Sequence, residues 1–66
     1  MEVILNEKAY TVKENISLAD FIENLSLKPE GIAIAINLEV VPKERWSKTI
    51  LTDKMELMLI HAVSGG

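Results

Sequence analysis

Residues 56–66 read ELMLIHAVSGG, and the other predicted elements can be arranged around them. The first part of this stretch is almost continuously apolar, which is typical of a strand with apolar side chains on both faces at the centre of a sheet. We therefore predict a central strand from about Glu56 to Val63. The residues that follow, Ser64, Gly65 and Gly66, have little or no side chain, and we expect them to form a flexible tail.

The length and composition of the chain favour one small globular domain. It has 66 residues, of which 48% are apolar, so we assign residues 1–66 to a single domain with one compact core. There is no cysteine, which excludes disulfides and thiol nucleophiles and fits a reducing compartment. Because the N-terminus opens directly into a strand pattern without the features of a signal peptide, we expect a cytoplasmic protein.

The distribution of charge and apolar residues argues against nucleic acid and membranes as partners. The net charge is −3, and the basic residues are scattered among acidic ones, so no basic footprint for nucleic acid is present. No apolar run approaches the roughly 20 residues that a membrane-spanning helix needs. We expect partners that are proteins.

The N-terminal part of the chain predicts a β-hairpin. Residues 1–6 are rich in β-branched and apolar side chains, and residues 9–13 alternate between apolar and polar positions. The tripeptide NEK at residues 6–8 between them is typical of a hairpin loop. Two adjacent antiparallel strands are therefore expected before the first helix.

A single α-helix is predicted to follow this hairpin. Ser17 is a favoured N-cap residue, and Asp20 stands three positions later, as in a capping box with the shorter acid. We expect the helix to end before Pro29 and Gly31. One stripe of apolar residues with helical spacing is expected to pack on the sheet: Leu18, Phe21, Ile22 and Leu25.

The middle of the chain predicts further strands. Residues 32–36, IAIAI, alternate between isoleucine and alanine, so the isoleucine face should meet the helix. A turn at residues 37–39 leads into a very short strand at Val40 and Val41, and Pro42 ends it. A single helical turn at residues 43–46 should fold Trp46 back onto the domain, and a second turn at residues 52–54 precedes the last strand.

The element order β-β-α-β-β-β predicts the fold class. One helix after a hairpin, with the last strand beside the first, is the arrangement of an α+β protein of the β-grasp, or ubiquitin-like, architecture. We predict a mixed sheet of four to five strands with one main α-helix packed on one face.

The face of the sheet away from the helix is predicted to bind a partner. The helix-facing residues are expected to be Val3, Leu5, Leu57 and Leu59. Strand alternation then places Ile4, Met58 and Ile60 on the opposite face. An exposed apolar patch on a small protein usually marks an interaction surface. The alternative is that long side chains from neighbouring strands cover this patch.

Two blocks of sequence resemble the ThiS/MoaD-like family of ubiquitin-like sulfur carriers, in particular its thiamine-biosynthesis branch. The first block is Ala35-Ile36-Asn37 followed by VVPKERW at residues 40–46, and the second is residues 57–63 followed by Ser64-Gly65-Gly66. The resemblance covers nearly the whole chain and is clearest after Gly31. The turn DKM at residues 53–55 departs from the Asp-Gly-Asp-like turn that is common in the family.

The resemblance implies a carrier of sulfur and not an enzyme. In this family the C-terminal glycine, here Gly66, is adenylated by a ThiF-like adenylyltransferase that uses ATP. A persulfide donor, such as a cysteine desulfurase, then supplies sulfur for a C-terminal thiocarboxylate. Thiazole synthase, ThiG, receives that sulfur. The resemblance therefore implies that Gly66 is the reactive residue and that the carrier itself binds no cofactor.

Other functions remain open at this point. The ending VSGG at residues 63–66 also suits the small subunit of molybdopterin synthase or a carrier for tRNA thiolation, although the Pro42…Trp46 block favours the thiamine branch. A protein of a different class, a ubiquitin-like tag joined to lysines or an interaction module without chemistry at its end, would have the same fold.

Several residues that could suggest a site have simpler interpretations. One histidine, His61, without any cysteine does not make a metal site, and we interpret it as a strand-end residue. Trp46 is interpreted as a side chain that covers the core, and Asn37 as a turn residue that tolerates left-handed geometry. Three acidic residues are interpreted as solvated: Asp20, Glu23 and Glu30.

Overall fold

A computed structural model of the protein describes residues 1–61. Within that range the chain forms five strands, one α-helix and one 3₁₀ helix. Their bounds are β1 Glu2–Leu5, β2 Lys8–Thr11, α1 Leu18–Asn24, β3 Ile32–Ile36, β4 Glu39–Val41, the 3₁₀ helix Lys43–Lys48, and β5 Met55–His61. The predicted end of the last strand, at residues 62–63, and the predicted tail, at residues 64–66, lie outside the described residues.

The five strands form one mixed sheet in the order β2-β1-β5-β3-β4. Strand β5 lies at its centre, parallel to β1 and antiparallel to β3. Both outer pairs, β1 with β2 and β3 with β4, are antiparallel hairpins. The predicted β-grasp class and the predicted place of the last strand beside the first are therefore confirmed.

The core lies between the sheet and the helix. The predicted helix-facing residues of β1 and β5 include Val3, Leu5 and Leu57, and all three are buried. From α1, Phe21 packs its ring edge-on against Tyr10 of β2, with centroids 5.8 Å apart. Each fully buried side chain of this size contributes about 1.5–3 kcal/mol, so the short helix is held by the sheet it covers. The opposite side of the sheet, which α1 does not cover, is called the open face below.

The two hairpins use two-residue turns, one residue shorter than predicted at each place. Asn6 and Glu7 have φ angles of 49° and 69°, and Asn37 and Leu38 have φ angles of 53° and 69°. Two consecutive positive φ angles define the turn whose twist matches that of paired strands. Lys8 and Glu39, predicted as loop residues, therefore begin β2 and β4. The prediction that Asn37 is a turn residue with left-handed geometry is confirmed.

The helix begins as predicted but ends earlier than predicted. The Ser17 hydroxyl accepts a hydrogen bond from the Asp20 backbone N–H at 3.1 Å, which confirms Ser17 as the N-cap. The helix ends at Asn24, well before Pro29 and Gly31.

A closing motif around Ser26 explains the early end of the helix. Ser26 has a φ of 58°, and its N–H donates to the Glu23 carbonyl at 2.9 Å. The N–H of Leu27 donates to the Ile22 carbonyl at 3.3 Å. This pair of bonds is the Schellman motif, in which the left-handed position is usually glycine. Because a serine occupies it here, the sequence did not indicate the stop.

The 3₁₀ helix closes one end of the core with Trp46. The predicted turn at residues 43–46 extends to Lys48, and the Trp46 side chain is buried, which confirms its predicted role as a cover for the core. Its indole Nε1–H donates to the Val41 carbonyl at 3.0 Å. This bond ties the 3₁₀ helix to the edge strand β4.

The turn before β5 contacts the start of β1. The Asp53 carboxylate accepts a hydrogen bond from the Glu2 N–H at 2.9 Å, and the Lys54 N–H donates to the Glu2 carbonyl. Lys54 has a φ of 62°, a conformation that glycine adopts without strain. In this turn a lysine therefore occupies a left-handed position that glycine would adopt at lower cost.

Replacing Lys54 with glycine is expected to stabilise the domain by about 0.5–1 kcal/mol. The left-handed conformation is unfavourable for a residue with a β-carbon, so removing the β-carbon stabilises the folded state. This stabilisation exceeds the effect of the added conformational entropy of glycine in the unfolded chain. Thermal unfolding followed by circular dichroism measures the effect. Lys54→Ala is the matched control, since it also removes the charge but retains the β-carbon. A Lys54→Gly variant no more stable than Lys54→Ala would contradict this account of the turn.

Candidate functional site

Strand β5 leads to the predicted reactive end of the chain. Its last described residue, His61, is exposed and pairs with Ile32 of β3. The predicted tail residues Ser64, Gly65 and Gly66 lie outside the described residues. The described part of β5 is therefore the part of the central strand nearest in sequence to the predicted tail.

The side chain of Asn6 holds this end of β5 on the side of β1. Strand β1 ends at Leu5, and the Asn6 N–H then donates to the Leu57 carbonyl at 3.1 Å. The Asn6 side-chain oxygen accepts from the Leu59 N–H at 2.9 Å, and its Nδ2 donates to the Leu59 carbonyl at 3.4 Å. The amide group acts as the next peptide group of β1 would, because it carries both a donor and an acceptor.

Asn6 was not among the predicted site residues. The signal in the sequence is an asparagine directly after a strand, which predicts a turn and not a contact with a distant strand. Its two side-chain bonds to Leu59 extend the pairing of β5 beyond the end of β1. On the other side, pairing with β3 continues to His61. The last strand is therefore held on both sides close to the point where the tail begins.

The structure brings the three predicted partner-binding residues to one face. Ile4, Met58 and Ile60 all lie on the open face. Met58 is 47% exposed and Ile60 is 41% exposed, while Ile4 is half-buried. On the same face Ala35 is buried between the strands on either side of it and Ala33 is half-buried, while Met58 and Ile60 remain accessible.

Two residues that the sequence analysis did not select enlarge this apolar surface. Val40 pairs with Ala35 on the open face, and Leu38 stands at the tip of the β3–β4 hairpin. Both side chains are exposed. The signal that could have identified Leu38 is a large apolar residue in a turn, where burial is not available.

The acidic residues singled out in the sequence do not form a metal site in the described part of the chain. Asp20, Glu23 and Glu30 are exposed, as predicted for solvated residues. Among residues 1–61, no three histidine or acidic side chains are grouped closely enough to hold a metal ion. No helix in the same range is long and apolar enough to cross a bilayer.

Comparisons with known proteins identify relatives along the whole chain. A model of the ThiS family matches residues 3–66. The sulfur carrier protein ThiS of Escherichia coli (strain K12) is 29% identical over 66 residues, which cover 100% of this chain and 100% of that protein.

Solved structures of a thiamine biosynthesis protein (ThiS) from Geobacter metallireducens have the same fold. Its crystal structure superposes with a TM-score of 0.86 at 23% identity, over 100% of both chains. Its solution structure gives a TM-score of 0.76 at 23% identity, over 100% of this chain and 88% of the other. With the family match from Val3 to Gly66, these findings establish that the chain belongs to the ThiS family.

Proposed function

We propose that this protein is a sulfur carrier in thiamine biosynthesis, where it supplies sulfur for the thiazole ring. The observation that carries the proposal is the family match, which extends through the tail to residue 66. It is supported by the alignment with the Escherichia coli sulfur carrier over the full length of both chains. The same match favours the thiamine branch over molybdopterin synthesis, tRNA thiolation and protein tagging.

The proposed reaction uses the Gly66 carboxylate as its acceptor. A carboxylate is a poor electrophile until one oxygen becomes part of a good leaving group. A ThiF-like adenylyltransferase would supply that activation: the carboxylate oxygen attacks the α-phosphate of ATP, pyrophosphate leaves, and an acyl-adenylate forms. Two terminal glycines suit this step, because a backbone without β-carbons can enter a narrow active site.

Sulfur then replaces the adenylate. The terminal sulfur of a persulfide on a donor, such as a cysteine desulfurase, attacks the Gly66 carbonyl carbon, and AMP leaves. A thiol then attacks the donor's sulfur atom in the disulfide formed, so a thiocarboxylate remains at Gly66 and the donor leaves as a mixed disulfide with that thiol. Thiazole synthase ThiG would take sulfur from this group. In this scheme the carrier is a co-substrate, and its partners supply ATP, bases and nucleophiles.

The fold supports this division of roles. Strand β5 is paired with β1 and β3, carries Met58 and Ile60 on the open face, and is the described element nearest in sequence to the tail. We propose that Ile4, Met58 and Ile60 on this face bind the activating enzyme while the tail enters its active site. Their shared exposure on one side of a small sheet supports the assignment.

Intact-protein mass spectrometry tests the proposed function. The protein is incubated with a ThiF-like adenylyltransferase, ATP and a cysteine desulfurase with cysteine and a thiol reductant. The expected product is heavier by the difference between one sulfur and one oxygen, and fragmentation places that change at Gly66.

Two control variants test whether the mass change depends on Gly66. Deletion of Gly66 should abolish the mass change, while Asn24→Ala, on the exposed side of α1, should leave it intact. An unmodified carboxylate after complete incubation would refute the proposal. A mass gain equal to an attached protein would identify a tag instead.

Placing a charge on the open face is expected to weaken binding to the activating enzyme roughly 10-fold or more. Ile60→Glu and Met58→Glu each replace an exposed apolar side chain that would be desolvated in the complex. Substitutions at exposed positions usually change stability by about 0.5 kcal/mol or less, so the fold should persist. Titration calorimetry with the adenylyltransferase measures the affinity, with Asn24→Glu as the control. Unchanged affinity of both variants would remove this face from the proposed interface.

A further inference from the structure

Leu38 is placed where neither packing nor backbone geometry favours a leucine. It is 88% exposed, the highest value among the exposed large apolar residues of the described chain. It also has a φ of 69° in the second position of its turn, where glycine is preferred. An apolar side chain that gains nothing from folding and occupies an unfavourable conformation indicates a role in a bound state.

Leu38 belongs to a larger apolar surface. Val40, Met58 and Ile60 on the open face are 57%, 47% and 41% exposed. Leu38 also lines a concavity of about 440 Å³ together with Ile4 and Met58. A projecting side chain next to a hollow of this size provides a shape that a partner surface can match on both sides.

The charges of this concavity have one sign. The charged residues that line it are Glu7 and Glu56, and Glu56 pairs with Ile4 at the centre of the sheet. Two copies of this face would bring like carboxylates together, which disfavours a dimer formed through it. A partner with arginine or lysine around an apolar contact would be complementary.

We propose that Leu38 and the adjacent concavity dock a protein surface that presents an apolar side chain flanked by cations. We commit to the activating enzyme as that partner, and in this respect the proposal rests on the proposed function. Leu38 is the apolar anchor that supplies affinity, because it is fully available for burial. Glu56 favours a partner that places a cation beside the apolar contact, and its charge speeds association with that partner.

Leu38→Gly provides the sharpest test. Glycine removes the anchor and suits the left-handed position, so the variant should be at least as stable as the parent protein. We expect its affinity for a purified ThiF-like adenylyltransferase to fall roughly 30-fold or more, the loss typical of an interface hot spot. Ile50→Thr is the matched control, because Ile50 is an exposed apolar residue outside the five-stranded sheet. Its affinity should remain unchanged.

Glu56→Gln tests the charge. It should slow association with the same enzyme several-fold at low salt, and the difference from the parent should shrink as salt is raised. Glu23→Gln, which removes one carboxylate from the exposed side of α1, is the control and should have little effect. Biolayer interferometry with the immobilised enzyme gives both rate constants.

The outcomes separate this proposal from the proposed function. Unchanged affinity of Leu38→Gly, or no binding of the parent protein to the enzyme, would overturn the docking surface. Sulfur loading at Gly66, read by mass, is scored independently. If the enzyme loads sulfur onto Gly66 but binds Leu38→Gly as tightly as the parent protein, the proposed function stands and the role of Leu38 as an anchor is rejected. If binding depends on Leu38 but no sulfur is loaded, the docking surface stands and the proposed chemistry is rejected.

Discussion

Replacing Trp46 with alanine is expected to remove most of the stability of the folded protein. Truncating a buried tryptophan usually costs about 3–5 kcal/mol, because the transfer energy is lost and a cavity remains. A domain of this size has roughly 3–10 kcal/mol of stability in total. The variant should therefore lose most of its free energy of unfolding, which is a larger effect than we expect at any exposed position.

The structure gives two separate reasons for this sensitivity. Trp46 is buried in the core cluster, where the short 3₁₀ helix has no other buried side chain. Its indole N–H also donates to the Val41 carbonyl at 3.0 Å. Loss of the ring would remove the anchor of the 3₁₀ helix and one of the links that hold edge strand β4.

Urea unfolding followed by circular dichroism measures the change, and Trp46→Phe separates the two contributions. Phenylalanine retains much of the buried area but leaves the Val41 carbonyl without its indole donor. It should therefore lose less, about 1–3 kcal/mol in total. A Trp46→Ala protein with a transition close to that of the parent would show that the ring does not carry the packing assigned to it.

Replacing Asn6 with alanine is the second large effect, an expected loss of about 1.5–3 kcal/mol. Two side-chain hydrogen bonds to Leu59 disappear, and each contributes about 0.5–1.5 kcal/mol. Alanine would also occupy a φ of 49°, which asparagine tolerates better. The loss should concentrate at the end of β5, so amide exchange at Leu59 should accelerate more than exchange at Leu57.

Two further substitutions separate the causes. Asn6→Gly restores a residue suited to positive φ but supplies no side-chain bonds, so it should recover only part of the stability. Asn6→Asp retains an acceptor for the Leu59 N–H but places a carboxylate next to the Leu59 carbonyl. If Asn6→Gly matches the parent in both stability and amide exchange at Leu59, the side-chain hydrogen bonds make no measurable contribution to stability.

Local sequence patterns predicted those elements in which most residues favour the same backbone conformation. The alternation of isoleucine and alanine predicted β3 with its observed bounds, Ile32–Ile36. Ser17 predicted the start of α1, and the apolar run after Glu56 predicted a central β5. In each case side-chain burial and backbone preference agree, so the sequence indicates the structure without ambiguity.

The features that the sequence did not predict have local or tertiary causes that no residue pattern marks. Ser26 and Lys54 adopt positive φ angles without being glycine: Ser26 lies in the local hydrogen bonds that end α1, and the Lys54 N–H donates to the Glu2 carbonyl of β1. The Asn6 contact joins residues 53 positions apart, and no local pattern encodes such a pair. The open face was predicted from alternation, but Leu38 was not, since its exposure depends on the exact length of a hairpin turn.

The parallel pairing of β1 with β5 has a consequence for synthesis on the ribosome. Strand β1 is made early, but its central neighbour is made after every other described element. A nascent chain that lacks β5 contains two separate hairpins and no continuous sheet, so it cannot enclose the core. Chains interrupted before β5 should therefore remain unfolded and open to proteases. Survival of the chain then depends on production of the strand that leads to its proposed reactive end.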